Sequence, residues 1–210
     1  RGPMRTIEFY LNNPIIEHDP GVLLVKDLHH RFIASNARFE DYSGIPPREL
    51  VGLTEHDMPW KDMADIYISY ENDIISGLTY NIIAPLHGIK KVTMATQTKI
   101  IFDSHGIPAG TVSTSVPCDL NILDFTQITS GAPHGYSDLT KKESLILFLI
   151  LKGKTRKDIS EIADISNSSY DFHVRHIKQK IGAKTTAEII PKAQQLGIDA
   201  NVSIVIKLSG

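Results

Sequence analysis

The side chains best suited to chemistry crowd into residues 154–180. Lys154, Thr155, Arg156 and Lys157 open one helical segment, and Ser168, Ser169, Asp171, Phe172, His173, Arg175, Lys178 and Lys180 fall along the next. Tyr170, Val174, Ile177 and Ile181 recur at i, i+4, i+7 and i+11, the spacing of a stripe packed against a small core. The surface left over carries Asp171, Phe172, Arg175, Lys178 and Gln179. Cations beside a helix N-terminus suit phosphate oxygens, and side chains on an outward helix face suit base edges. Arg175 lies away from the core stripe, and its planar fork can grip guanine O6 and N7 together. The same pattern also suits a small helical bundle with a solvated basic face, in which Arg175 only pairs with Asp171 at i,i+4.

Four helices are expected to position these residues. Lys141 to Lys152 begins with a capping box, Thr140 with Glu143. Thr155 caps Arg156 to Ala163, and Ser166 caps Asn167 to Ile181, which Gly182 stops. Thr185 or Thr186 caps Ala187 to Leu196. Two or three residues separate the second and third helices, the spacing of a helix-turn-helix whose second helix enters the major groove. Charge agrees with a division of labour. Residues 1–136 hold 10 Lys+Arg against 16 Asp+Glu, a net of −6, whereas residues 137–197 hold 11 against 7, a net of +4. A basic half facing a polyanion is one reading, and ordinary variation between small domains is the other.

Residues 14–117 alternate short apolar runs with turn signals. Gly21 to Val25 and Arg31 to Ala34 read as strands joined by the polar loop Lys26–His30. Asn36 to Tyr42 reads as a short helix ended by Gly44, and Asp62 to Ile75 as a longer one with apolar residues at Met63, Ile66, Tyr67, Tyr70 and Ile74. Tyr80 to Pro85, Lys90 to Asp103 and Ile107 to Val116 read as three further strands. A cavity between the sheet and helix 62–75 would be lined by Leu24, Phe39, Ile66, Tyr70, Ile82, Met94, Thr98 and Thr114. The alternative is that these residues fill a solid core. Asn121 to Ile128 suits a short helix, Ser130 to Gly135 a flexible linker, and Val202 to Leu208 a short strand or an extended tail.

Residues 139–198 resemble the LuxR/GerE-type helix-turn-helix family. The resemblance is carried by Leu139-Thr140, Glu143, Gly153, Thr155 to Ser160, Ile165-Ser166, Ser169-Tyr170, His173, Ile177, Lys180 to Gly182 and Ala187. It implies four helices with the third as reader, phosphate contacts at Ser169 and Lys180, and reader positions at Asp171, Phe172 and Arg175. Asp171 departs from the lysine frequent there, and Tyr170 and Phe172 replace smaller residues. The order of elements in residues 14–117 resembles a PAS domain, on Pro20-Gly21, Val25 to Asp27, Arg31-Phe32, Asn36, Phe39, Tyr42 to Gly44, Glu49 to Gly52 and Asp57, with Ser104 to Gly106 and Gly110 in the closing hairpin. That resemblance implies a five-stranded antiparallel sheet with helices on one face.

The fold expected is therefore α+β: a segment 1–13, a PAS-like sensor or dimerisation domain over 14–118, a linker over 119–136, an all-α four-helix DNA-binding domain over 137–198 and a tail over 199–210. Arg1-Gly2-Pro3 before Met4 reads as an expression remnant, and no secretion signal is visible, so the sequons at Asn167 and Asn201 read as chance. The single cysteine, Cys118, excludes an internal disulfide and reads as a buried or linker thiol. No phosphate-binding glycine loop, nucleophile elbow or zincin motif occurs, so no enzyme is expected. No cofactor is required. Flavin chemistry is disfavoured because Cys118 lies at the end of the last strand, and haem because helix 62–75 has no histidine and only His56 lies near it. His29, His30 and His105 read as solvated turn residues, and no metal-ligand spacing is present. The longest apolar run, Leu145 to Leu151, is too short to span a membrane. These features together describe a cytoplasmic, homodimeric regulator of transcription that binds double-stranded DNA, with a small-molecule ligand and RNA polymerase as further candidate partners. The alternative is a protein-interaction module that docks a partner, its DNA binding vestigial.

Overall fold

A computed structural model describes residues 5–17, 21–135, 138–200 and 202–207. Arg1-Gly2-Pro3, Pro20, Tyr136, Ser137, Asn201 and Leu208, which figure in the sequence reading, lie outside them. The chain divides into two compact units, residues 1–81 with 86–118 and residues 82–85 with 119–210.

In the first unit a short helix α1 (Ile7–Asn12) precedes strands β1 (Ile15–Ile16), β2 (Val22–Asp27) and β3 (Phe32–Asn36). Short helices α2 (Glu40–Ser43) and α3 (Pro47–Leu50) follow, then α4 (Ala64–Ile75), β4 (Asn81–His87, of which residues 82–85 fall in the second unit), β5 (Lys91–Phe102) and β6 (Pro108–Pro117). β3, β2, β6 and β5 lie side by side, each antiparallel to the next, and β1 adds to the edge of β3 in parallel. This is the α+β, PAS-like plan expected of the N-terminal half. Asn36 ties the end of β3 to the start of β2: its buried amide accepts from Leu23 N–H at 3.0 Å and donates to Gly21 C=O at 2.6 Å.

Strand alternation gives the sheet two faces. Val22 and Leu24 share one face with Met94, and there pack with Phe32, Phe39, Tyr42, Leu50, Met58 and Trp60. Val25, Ile33, Ala34 and Ile101 pack on the other with Ile7 of α1. Lys26, expected in a polar loop, is instead a strand residue buried on the first face.

In the second unit β7 (Ile128–Gly131) leads to α5 (Lys141–Leu151), α6 (Arg156–Ile162), α7 (Asn167–Ile181), α8 (Ile189–Gln195) and β8 (Ile204–Ile206). The capping boxes at Thr140/Glu143 and Thr155/Asp158 both form, Ser166 caps α7, and Gly182 ends it in the left-handed region, φ 79°. The fourth helix starts later than expected, because residues Thr186–Glu188 form a 3₁₀ turn first.

The segment between the domains differs more. Asn121–Ile128 is no helix beyond a 3₁₀ turn over Phe125–Gln127, and Ser130-Gly131-Ala132 is not a flexible linker. β7 and β8 pair antiparallel, Ile128 opposite Ile206 and Gly131 opposite Ile204, and both strands pack on α5. The cause lies in α5 itself. Glu143 to Ile150 are buried without a break, so the helix has no face fit for water. α6 and α7 lie against one side, and the ladder, with Ile128, Ala132, Ile204, Val205 and Ile206 buried, covers another. No described helix is long and apolar enough to cross a membrane.

Gly131 tests this packing. A Cβ there would lie 2.1 Å from the Lys141 carbonyl oxygen and 2.9 Å from Leu145 N, and neither backbone atom can swing aside. Gly131→Ala should destabilise the second unit by about 1–3 kcal/mol, and Ile204→Ala by about 2–5 kcal/mol. Urea denaturation of the full chain measures both, and unchanged midpoints would mean that the ladder does not pack on α5.

Candidate nucleic-acid interface

The turn between α6 and α7 is held rigidly. Ala163 ends α6, Asp164 takes a left-handed conformation at φ 52°, and Ile165 N–H bonds back to Ser160 C=O at 3.0 Å. Ser160 Oγ reaches Asn167 Oδ1 at 3.1 Å, joining the two helices. Lys142 Nζ donates to Ala163 C=O at 3.2 Å, a cation at a helix C-terminus. Behind α7, Tyr170, Val174, Ile177 and Ile181 are buried as the spacing demands. Ser168, Asp171, Phe172, Arg175 and Gln179 form the exposed face of the helix. Residues 1–2 turns apart on one side of an α-helix present to one surface, so this face is what the fold offers to a groove.

The structure sorts the expected contact residues by whether they are already engaged. Arg156 and Asp171 bind each other in a two-pronged pair, Nε to Oδ1 at 3.0 Å and Nη2 to Oδ2 at 2.7 Å. The Arg156 hydrogen bonds hold the Asp171 carboxyl below its usual range. Asp171 therefore pairs across to α6 and not with Arg175 along its own helix. Lys154 Nζ sits 4.3 Å from the centre of the Phe125 ring. Ser169 donates its backbone N–H to the Ser166 cap, and Thr155 is occupied as the cap of α6. His173 is half-buried beside the core stripe, and burial lowers its pKa. Lys157, Arg175 and Lys178 have no ion pair among the described residues. Ser168 and Phe172 are exposed.

Lys180 departs furthest from the phosphate contact that the resemblance implies. Its ammonium bonds Glu143 Oε1 at 2.6 Å and Asp138 C=O at 3.1 Å. Glu143 is 3 % exposed and also accepts from Thr140 N–H at 2.8 Å. Lys180 thus neutralises a buried carboxylate between α5 and α7.

In the first unit the residues expected to line a cavity do not all meet. Leu24, Phe39 and Met94 share the core under α4, and Thr98 lies on the same face, its hydroxyl 2.8 Å from that of Ser113. Thr114 pairs with Leu23 and Gln97, so it points to the opposite face and cannot join them. Ile66 and Tyr70 are half-buried on α4, and Ile82 belongs to the second unit. What the sequence reading missed on this face is polar. Thr96 and Ser115 hydroxyls meet at 2.7 Å beside the Thr98–Ser113 pair. Lys26 is buried between Glu55 and Glu71, 2.9 Å from Glu71 Oε1, and Trp60 Nε1 donates to Glu55. His30, expected to be solvated, has Nδ1 3.6 Å from Glu71 Oε2, and that contact raises its pKa. Only the polarity of Lys26 argued for a loop, and nothing in its neighbours along the chain reveals two acids brought from residues 55 and 71. Among the described residues no group of three His, Cys, Asp or Glu side chains could hold a metal ion.

The Glu143–Lys180 pair makes a sharp prediction. Burial raises the Glu143 pKa, but the bonds from Lys180 and Thr140 outweigh it and hold the carboxyl below its usual value. A group with a depressed folded-state pKa contributes stability above its unfolded value, about 4.3, and loses it as pH falls through the folded one. Lys180→Ala should therefore cost about 1–3 kcal/mol at neutral pH by stranding a buried carboxylate. Glu143→Gln should also lose stability at pH 7 and flatten the decline below about pH 5. Thermal unfolding across pH measures both, and an unaltered acid limb in Glu143→Gln would refute the pairing.

Residues 137–193 match the family model of bacterial regulatory proteins, luxR family. The transcriptional regulatory protein MctR of Rhizobium johnstonii is 37% identical over 68 residues, which is 32% of this chain and 32% of that protein. The chain thus spans about a third of that curated relative's length. Solved structures of Vibrio cholerae VqmA share the fold over nearly the whole length. A VqmA dimer without its target DNA matches at TM-score 0.54 and 19% identity, covering 99% of each chain. A VqmA–ligand–DNA complex matches at TM-score 0.50 and 19% identity over 99% of each chain. Residues 137–193 of this chain are a helix-turn-helix domain of the luxR family, and it is joined to an N-terminal unit of PAS-like fold.

Proposed function

We propose that the chain is a cytoplasmic regulator of transcription that binds double-stranded DNA through α7, as a homodimer, under the control of its PAS-like unit. One observation carries this reading. The helix-turn-helix is locked by its caps and by Ser160–Asn167, while the outward face of α7 is left unpacked, with Arg175 and Lys178 lacking any ion pair among the described residues. A rigid reader helix with an exposed guanidinium suits a guanine edge. The Arg156–Asp171 pair supports the reading further. It removes the objection that a carboxylate on the reader face would repel phosphate, and so weakens the case for a partner-docking module. Dimerisation is proposed because one such module offers few residues to base edges, whereas two read half-sites about one helical turn apart. VqmA is described as a dimer and as a complex with ligand and DNA. For this chain the half-buried hydroxyls of Thr96, Thr98, Ser113 and Ser115 under α4 favour a polar small molecule over a flavin or haem.

Affinity of the full chain for duplex DNA, measured against salt, tests the proposal. Lys157 and Lys178 from two modules give roughly four phosphate contacts, so log K should fall with log salt at a slope of about −4. Arg175→Ala should cost about 1–3 kcal/mol at the preferred site and relax selectivity at one position, whereas Lys178→Ala, which removes one phosphate contact from each module, should weaken all duplexes alike and reduce the slope by about 2. Absence of duplex binding even at low salt would overturn the reading.

A further inference from the structure

We infer that Phe172 is a specificity-determining residue that reads a thymine by its methyl group, an inference that rests on the proposal that α7 enters the major groove. Phe172 is 49% exposed, on the reader helix and not in the core. Successive residues of an α-helix turn by about 100°, which sets Phe172 almost opposite the buried Tyr170–Val174–Ile177–Ile181 stripe, at the middle of the outward face. Single exposed apolar residues are ordinary on protein surfaces. A phenyl ring at the centre of the one face that the fold presents to DNA is placed where its chemistry decides something. The major-groove edges of the four base pairs carry amines, carbonyls, ring nitrogens and one apolar group, the C5 methyl of thymine. A ring that neither donates nor accepts finds its match there alone.

The surroundings of the ring favour that role. His176 lies against it, ring centres 4.4 Å apart, and His173 meets it edge-on at 5.5 Å. These contacts hold the ring in place before DNA arrives, which lowers the ordering cost of binding. Asp171, its chain neighbour, is turned onto Arg156, so no unpaired carboxylate stands beside the ring to disturb an apolar contact. Arg175 is also on the outward face, close enough to Phe172 along the helix for one guanine and one thymine to be read in a single half-site.

The test begins with selection of preferred sites by the full chain from a randomised duplex library. Thymines in the selected site are then replaced one at a time by uracil, which keeps every hydrogen-bonding group and lacks only the methyl. One thymine per half-site should prove sensitive, its loss weakening wild-type binding about fourfold, the equivalent of about 0.8 kcal/mol per buried methyl-sized group. Phe172→Ala should lower affinity for the selected site to a similar or greater extent, and in that variant the same uracil should have no further effect. Phe172→Leu should keep part of the thymine preference, while Phe172→Asn loses it. Lys178→Ala gives the contrast: it should weaken selected and unrelated duplexes alike and leave the uracil effect at that thymine as in wild type. Unchanged thermal unfolding will show that the exposed site tolerates the substitutions at Phe172. If uracil is tolerated at every position, or if Phe172→Ala responds to uracil as wild type does, or if the library yields no preferred site, Phe172 does not read a methyl, even though DNA binding itself stands. Failure to bind any duplex would overturn the underlying reading as well, so the two failures are distinguishable.

Discussion

The second unit is organised by the need to cover α5 on every side. From Glu143 to Ile150 every residue of this helix is buried, so protein must cover that stretch all round. α6 and α7 cover one flank. The other flank recruits chain from both ends of the unit, Ile128–Gly131 before the helices and Ile204–Ile206 after them, paired as a ladder that satisfies its own backbone groups. Gly131 is glycine because the ladder crosses the first turn of α5 at a distance that excludes a Cβ. A tail and a linker thereby become part of the domain whose helix they cover.

Burial on this scale leaves few places for charge, and the charges that are buried are paired. Glu143 closes the N-terminus of α5 and is answered by Lys180 from α7, so the ion pair also fixes where α7 lies against α5. In the first unit Lys26 is held by Glu55 and Glu71, joining β2 to α4 and to the turn before it. Removing one member of such a group strands the others in a low-dielectric interior, so these pairs specify the arrangement more than they add to its stability. The consequence for function is selective. Arg156 and Lys180 are drawn into pairs with Asp171 and Glu143, whereas Arg175 and Lys178 of α7 and Lys157 of α6 have no ion pair among the described residues.

Much of the fold was legible along the chain because its signals are local. Capping residues, stop glycines and the 3.6-residue stripe of α7 act within a few residues of themselves, and the strands and turns of the PAS-like unit announce themselves by alternation and glycine. The candidate interface was legible to the same depth: the stripe at Tyr170, Val174, Ile177 and Ile181 fixes which face of α7 is inward, and so which residues face out. Thr114 shows the limit. Its type suited a polar cavity, but a strand sends neighbours to opposite faces, and only the register with Leu23 and Gln97 shows to which face it belongs.

The sequence by itself determined the helix-turn-helix, the outward position of Phe172 and Arg175, and the PAS-like order of strands, because periodicity and caps depend only on neighbours in the chain. The tertiary structure alone decided that Asp171 binds Arg156, that Lys180 answers Glu143, that Lys26 is buried between two acids, and that the strand of the tail pairs with β7 and covers α5. Each of these joins residues that the sequence separates, 15 apart for Arg156 and Asp171 and 37 for Glu143 and Lys180. A charge keeps the same sequence signature whether it meets water, phosphate or a partner, and only the packing that brings the partner within about 3 Å settles which.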